Sequence, residues 1–137
     1  MYSVDGRFYL VDLPGYGFAR VSQAERRGLS RLITDYLSSR ESLAGVVWLL
    51  DIRRKPSAED LEMANLLAAR GVPVLVAVTK ADKVSRGRRS QRIREILTTT
   101  GVHEDQCILT SAQTREGTAE LQESLVALVQ PGRRLVQ

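Results

Sequence analysis

Cysteine is nearly missing from this sequence: Cys107 is the only one among 137 residues. A single thiol excludes an intramolecular disulfide, and we expect no disulfide-linked partner. The apolar neighbours Ile108 and Leu109 favour a place for Cys107 in a buried strand. No apolar run approaches the roughly 18 residues needed to cross a bilayer, and no charged leader followed by an apolar segment opens the sequence. These absences favour a protein of the reducing cytoplasm without a membrane partner.

Aromatic residues are also few, at 5%, and they are not interleaved with basic residues in a stripe. Lysine and arginine number 20 against 16 acids, which gives a net charge of +4. This mildly basic balance suits an RNA-rich partner but is common in ordinary proteins, so charge leaves the function open. The 43% of hydrophobic and 26% of charged residues are typical of soluble globular proteins. We therefore expect one domain, spanning residues 1–137.

Four short apolar segments are each followed by polar residues, as expected of buried strands. They are Phe8 to Val11, Val46 to Leu50, Val72 to Val78, and Cys107 to Leu109.

Helical patterns lie between these strands. A first helix should follow a capping box of Ser22 and Glu25. One face of it carries Leu29, Leu32, Ile33, Tyr36 and Leu37. We expect that face to pack on the sheet.

Three further helices are predicted, at Leu61 to Arg70, Gln91 to Thr100, and Thr118 to Val129. Ser57 and Asp60 resemble a capping box before the first of them, and Gly71 is placed to end it. Apolar strands alternating with helices predict an α/β fold, a doubly wound and mostly parallel sheet with helices on both faces. In such sheets ligands bind at the carboxyl ends of the strands.

The first strand end reads Asp12, Leu13, Pro14 and Gly15. An acid here can orient Mg²⁺ directly or through water, and Gly15 lets a backbone N–H approach a terminal phosphate. A strand followed by a Pro-Gly turn accounts for the same residues.

The third strand end reads Thr79, Lys80, Ala81 and Asp82. A carboxylate in the plane of guanine accepts from the ring N–H and the exocyclic amine, whereas adenine presents an unprotonated nitrogen there. Lys80 can lay its methylene stem along the base. A solvated Lys and Asp after a strand is the plain alternative.

The fourth strand end reads Thr110, Ser111 and Ala112. A backbone N–H here can turn toward the guanine carbonyl oxygen, with Ser111 steadying the loop that holds Asp82. Each of these signals is weak alone. Their occurrence in this order at successive strand ends is hard to obtain by chance and predicts a nucleotide site.

Longer segments around these strand ends resemble a known family, the EngB type of ribosome-assembly GTPase, also called YihA or YsxC, among the translation-factor-related (TrmE-Era-EngA-EngB-Septin-like) GTPases. Asp12 to Ser22 is similar to its third motif, with a Tyr-Gly extension. Asp51 to Asp60 resembles its Asp-x-Arg segment, and Thr79 to Lys83 resembles its guanine motif. The resemblance runs from about Tyr2 to Val129.

The resemblance implies a P-loop NTPase G domain that binds GTP or GDP with Mg²⁺. It implies that Asp12 serves the metal and Gly15 the terminal phosphate, that Lys80 and Asp82 hold the base, and that Ala112 and its neighbours hold the base carbonyl. It further implies slow GTP hydrolysis and assistance to assembly of the large ribosomal subunit, with the subunit or its RNA as partner and a link to cell division and septation.

No catalytic residue is assigned, because Tyr16 falls where Ras-like GTPases carry a water-orienting glutamine. The phosphate-binding motif Gly-x-x-x-x-Gly-Lys-Ser/Thr does not occur in the sequence. Only about ten residues precede Asp12, whereas a strand, helix and return strand need about 30. We therefore expect a domain incomplete at its amino end, through a late start at Met1, a fragment, or a chain that closes the gap by rearrangement or oligomerisation, and we assign no hydrolysis to it.

Two alternatives belong to other classes. One is a non-catalytic RNA- or ribosome-binding remnant of a GTPase, contacting phosphates through basic groups at residues 53–55 and 83–94. A solvated helix start and loop account for the same charges. The other is a phospho-acceptor domain built on Asp12, Asp51 and Lys80, which does not explain Asp82 or Ser111.

Overall fold

In a computed structural model of the chain, the structure describes residues 1–15 and 21–130. The chain forms two compact units, residues 1–43 and residues 44–137, of which 131–137 lie outside the described part. In the described part, no helix is long and apolar enough to span a membrane.

The first unit begins with an antiparallel hairpin of β1 (Tyr2–Val4) and β2 (Phe8–Leu10). Asp5 and Gly6 in its turn have φ angles of 50° and 65°. Asp-Gly is a pair that readily adopts such conformations and closes hairpins. The prediction of a buried strand over residues 8–11 in a parallel sheet is therefore wrong in its partner, because β2 pairs with the segment directly before it. It is wrong in burial too, since Tyr9 is 65% exposed.

Helix α1 (Gln23–Ser39) completes the first unit and starts at the predicted capping box. The Ser22 hydroxyl accepts from the Glu25 backbone N–H at 3.2 Å, and the Glu25 carboxylate accepts from the Ser22 N–H at 2.8 Å. Ile33 and Leu37 are buried, but Leu32 is 54% exposed. The buried stripe is thus narrower than predicted, and its packing on the sheet remains a prediction.

The second unit is built on a parallel sheet of β3 (Val46–Asp51), β4 (Val74–Thr79) and β5 (Cys107–Leu109), in the order β3-β4-β5. This confirms the α/β class. β4 pairs on both sides, and its residues from Leu75 to Val78 are buried. On β3, Trp48 is buried as expected, whereas Leu49 is 63% exposed. The expectation of uniformly buried strands therefore fails on that face of β3.

Three helices accompany this sheet: α2 (Ala58–Arg70), α3 (Arg86–Thr100) and α4 (Thr118–Val129). α2 follows the predicted capping box at Ser57, and α4 has the predicted bounds. α2 and α3 begin earlier than predicted, because polar and basic first turns carry no apolar periodicity.

Two successive crossovers in one direction place α2 and α3 on the same face of the sheet, since parallel crossovers are right-handed. The two helices are in contact, and each supplies a core residue, Leu67 and Ile96. Gly71 and Gly101 end them in left-handed conformations. Leu128 of α4 packs against Gly45, where a side chain would collide with it.

Cys107 is half-buried at the start of β5. Burial raises the pKa of its thiol, which keeps the group protonated and favours a structural role.

The core of the second unit can be tested with two leucines of α2. Leu67 is 4% exposed and Leu61 is 39% exposed. We expect Leu67→Ala to lower the free energy of unfolding by about 2 to 5 kcal/mol, because it removes buried methyl groups and leaves a cavity. Leu61→Ala, the same change on the same helix, should cost about 1 kcal/mol or less. Urea unfolding measures both, and equal losses would contradict the described packing.

Candidate functional site

The carboxyl ends of β3, β4 and β5 meet at one edge of the sheet. Asp51 is paired in register with Thr79, and the Ile52 N–H donates to the Thr79 carbonyl at 3.1 Å. The Thr110 N–H donates to the Val78 carbonyl at 2.7 Å. The predicted segments 79–82 and 110–112 therefore emerge side by side.

The segments after β4 and β5 are tied together by the backbone. The Ala81 N–H donates to the Thr110 carbonyl at 3.0 Å, and Ala81 is fully buried. Lys80 precedes it with a φ of 61°, a left-handed conformation that is uncommon outside glycine. A single 3₁₀ turn, Ala81–Lys83, follows. This turn fixes Lys80 and Asp82 to the sheet edge.

Ser111 holds the Asp82 carboxylate. Its hydroxyl donates to Asp82 Oδ1 at 2.7 Å, and Ser111 itself is fully buried. The same hydroxyl accepts from the Thr114 N–H at 3.1 Å, and the Ser111 N–H donates to the Glu116 carbonyl at 3.0 Å. The predicted role of Ser111, steadying the loop that carries Asp82, corresponds to this contact.

The hydrogen bond from Ser111 holds the pKa of Asp82 below its usual range, although partial desolvation opposes this. The Lys83 ammonium lies 3.8 Å from Asp82 Oδ2 and also lowers the pKa of Asp82. Asp82 is therefore ionised at neutral pH and acts only as an acceptor.

Asp51 is a residue of the candidate site that sequence reasoning assigned only to the phospho-acceptor alternative and not to the nucleotide. Its carboxylate accepts from the Arg53 guanidinium at 2.8 Å and from the Arg53 backbone N–H at 2.9 Å. The Lys80 ammonium lies 3.3 Å from Asp51 Oδ2. Hydrogen bonds from Arg53, and then from Lys80, hold the pKa of Asp51 far below its usual range. The sequence indicated that both residues lie at strand ends, but only the pairing of β3 with β4 brings them together.

An ion pair between Arg89 and Glu116 joins α3 to the loop after β5. Arg89 Nη1 donates to both Glu116 carboxylate oxygens at 3.0 Å, and its Nε donates to the Val84 carbonyl at 3.3 Å. No spacing rule could have paired residues so far apart.

The threonines of the two segments serve the backbone. The Thr79 hydroxyl donates to the Leu50 carbonyl and the Thr110 hydroxyl to the Val78 carbonyl, each at 3.3 Å. Ala112 is exposed in the turn beyond Ser111. The edge thus offers two groups to a planar ligand. The carboxylate of Asp82 can accept two N–H groups, and the methylene stem of Lys80 can lie along the face of the ligand.

The residues predicted to serve magnesium and the terminal phosphate belong to the first unit. Asp12, Pro14 and Gly15 are exposed and Leu13 is half-buried, in a segment without regular structure after β2. Tyr16 lies outside the described residues. Among the residues that are described, no three His, Cys, Asp or Glu side chains gather at a metal site. Magnesium commonly takes one or two carboxylates from a protein and its other ligands from water and phosphate, so the exposed Asp12 remains a predicted ligand.

No protein-family profile matches the chain. It is similar to curated proteins named "Probable GTP-binding protein EngB". One from Pelotomaculum thermopropionicum is 47% identical over 123 residues, which are 88% of this chain and 61% of that protein. One from Halothermothrix orenii is 44% identical and covers 93% and 65%, and one from Bacillus subtilis is 39% identical and covers 87% and 62%. The chain thus spans less than two thirds of the length of these relatives.

A solved structure, the crystal structure of a probable GTP-binding protein engB, superposes with a TM-score of 0.75. The match covers 86% of this chain and 74% of that one. At 18% identity it establishes the shared fold.

Substitution of Gly117 tests how closely the loop after β5 approaches the backbone of that strand. Its φ is 72°, and a Cβ there would collide with the Leu109 carbonyl oxygen. Gly101 has the same φ with nothing near its Cβ position. Gly101→Ala should cost about 1 to 2 kcal/mol of unfolding free energy, the strain of a left-handed alanine. Gly117→Ala should cost at least about 1 kcal/mol more, because backbone must move. Equal losses in urea unfolding would refute the close approach.

Ser111→Ala should raise the pKa of Asp82 toward its ordinary range, because the largest cause of the lowering is removed. The pKa of Asp51 should stay low, since Arg53 and Lys80 hold it. Carboxyl carbon shifts, followed by NMR through an acid titration, measure both groups in one sample. Because a lowered folded-state pKa stabilises above the unfolded value of about 3.9, the variant should also lose part of that stabilisation above this pH. An unchanged Asp82 pKa would exclude Ser111 as its main determinant.

Proposed function

Since this chain belongs to the EngB family of GTP-binding proteins, over the part of their length that it shares with them, we propose that it binds the base of guanine nucleotides at the edge where β4 and β5 end. The observation that carries this proposal is the 2.7 Å hydrogen bond from Ser111 to Asp82. It leaves Asp82 Oδ2 and the remaining lone pairs for a ligand.

Base discrimination follows from the charge of Asp82. Guanine offers a ring N–H and an exocyclic amine on one edge, and an ionised carboxylate accepts from both. Adenine offers an unprotonated ring nitrogen at the first of these positions, which repels a carboxylate oxygen. Hydrogen bonds to charged groups contribute about 1.5 to 3 kcal/mol each, so the preference for guanine should be large.

Lys80 supplies the second part of the base site. Its side chain is 53% exposed, and Asp51 holds its ammonium at 3.3 Å. Fixing that end restricts the methylene stem to a few conformations before a ligand arrives. A base that stacks on the stem then loses less side-chain entropy in binding.

On the phosphate side we assign Asp12 to Mg²⁺ and Gly15 to the terminal phosphate, with Leu13 and Pro14 shaping the segment. The ion would neutralise phosphate charge, as in other phosphoryl-transfer proteins. GTP hydrolysis is not assigned to this chain, because none of the residues that the structure describes is assigned to orient the attacking water.

We further propose that the protein acts in the cytoplasm in assembly of the large ribosomal subunit, with a link to cell division and septation. The sequence resemblance described above implies this role. The net charge of +4 and the arginines of α3 support a partner rich in RNA phosphate.

A second candidate function is RNA or ribosome binding without nucleotide. It is favoured by a basic cavity of unit two, lined by Arg53, Lys83, Arg88 and Arg92 together with two uncharged residues. The two functions differ in whether the base site is used.

Titration with fluorescent GTP and ATP analogues, with and without Mg²⁺, tests the base site. We expect GTP to bind at least about tenfold more tightly than ATP, because guanine can donate two hydrogen bonds to the charged Asp82 that adenine cannot. Asp82→Ala should abolish the preference. Asp105→Ala removes an exposed carboxylate of the same unit and should leave it intact. Equal or undetectable binding of both nucleotides by a folded sample would refute guanine binding and leave the second candidate.

A further inference from the structure

The basic cavity lies in the second unit, and its two arginines from α3, Arg88 and Arg92, take no part in the proposed base site. It measures about 410 Å³ and is lined by Arg53, Lys83, Val84, Ser85, Arg88 and Arg92. No acidic side chain is among these residues. We propose that this cavity is a binding surface for the phosphate backbone of RNA, in a manner independent of base sequence. The choice of RNA rests on the proposed ribosomal function.

Three of the four cations of the cavity lie beside an acid that is not part of its lining. Lys83 lies 3.8 Å from Asp82 Oδ2. Arg53 is held by Asp51, and Arg92 lies 3.6 Å from Glu95. Arg88 and Arg92 are one helical turn apart on α3, about 6 Å along its axis, and so lie on the same side. Guanidinium groups present paired N–H donors that match phosphate oxygens.

The start of α3 adds to this positive potential. Its first turn contains Arg86, Arg88 and Arg89 and no acid, and Ser85 makes no side-chain cap. Basic residues there oppose the positive end of the helix dipole, whereas an anion would stabilise it. Arg89 is paired with Glu116, so the remaining basic charge at this helix start, on Arg86 and Arg88, favours an anionic partner.

A polymer fits this surface better than a small anion. Arg53, Lys83, Ser85 and Arg88 are exposed, so a lone phosphate would remain largely hydrated. Further basic residues occupy exposed positions close in sequence to those of the lining. These are Arg54, Lys55, Arg86 and Arg94. Several weak phosphate contacts along one strand would add up, as in most nucleic-acid binding.

The lining of the cavity also predicts that this surface does not distinguish one RNA sequence from another. No aromatic ring lines it, so bases have no platform for stacking. Phosphate contacts fix position and carry no sequence information. An acidic protein is the competing partner, and the test separates it from RNA.

The test compares two matched double variants of the full chain. Arg88→Gln with Arg92→Gln neutralises two cavity arginines and leaves Arg53 in place, because Arg53 also holds Asp51. The control is Arg27→Gln with Arg31→Gln, which removes two exposed arginines at the same spacing on α1. Circular dichroism melting verifies that both remain folded.

Fluorescence anisotropy with a short labelled single-stranded RNA, over about 50 to 200 mM salt, supplies the readout. We expect log K to depend less steeply on log salt in the cavity variant. The magnitude of the negative slope should decrease by about 1.4, at roughly 0.7 for each phosphate that the protein no longer neutralises. Affinity at low salt should fall about tenfold, and the control should match the unmodified chain. RNAs of different sequence should bind alike.

Unchanged RNA affinity in the folded cavity variant would overturn the proposal. Displacement of RNA by poly-glutamate of equal charge as readily as by RNA would overturn the choice of RNA over an acidic protein. Guanine-nucleotide binding, measured on the same samples, keeps the two proposals apart. If it fails while RNA binding stays dependent on the cavity arginines, the base site is refuted and this surface stands.

Discussion

The pairing of β4 with both of its neighbours is the constraint on which the rest of the second unit depends. It buries Leu75 to Val78 and satisfies the backbone of the strand on both sides. Parallel pairing also brings the carboxyl ends of all three strands to one edge. There the Ala81 N–H and the Thr110 carbonyl join two loops that are far apart in sequence. The contacts of the candidate site that join residues far apart in sequence follow from that juxtaposition.

Charge at this edge positions side chains more than it stabilises the fold. Asp82 and Asp51 both have lowered pKa values, but the leading causes differ, a serine hydroxyl for one and a guanidinium for the other. Lys80 and Arg53 are about half exposed, and ion pairs of this kind contribute only about 0 to 1 kcal/mol each. Their effect is to hold the Lys80 side chain beside Asp51, while Ser111 holds Asp82. Arg53 also lines the basic cavity, so it belongs to both surfaces.

The hairpin of the first unit explains where sequence reasoning failed. Phe8 to Val11 has the apolar character of a buried strand, and apolar character alone does not name a partner. The turn residues Asp5 and Gly6 favour pairing with the segment before them. The early starts of α2 and α3 were missed for a related reason, since a charged first turn has no apolar period to read.

Local patterns in the sequence determined the positions of the three parallel strands, the capping boxes at Ser22 and Ser57 and the end of α2 at Gly71, and the base-site residues are predicted from the same kind of pattern. Each of these depends on neighbours a few positions away, and such interactions are written in short stretches of sequence. The tertiary structure alone decided that Asp51 pairs with Lys80, that Arg89 binds Glu116, and that Arg53 lines one cavity with two arginines of α3. Those contacts join residues that strand pairing brings together, and pairing depends on the packing of the whole unit.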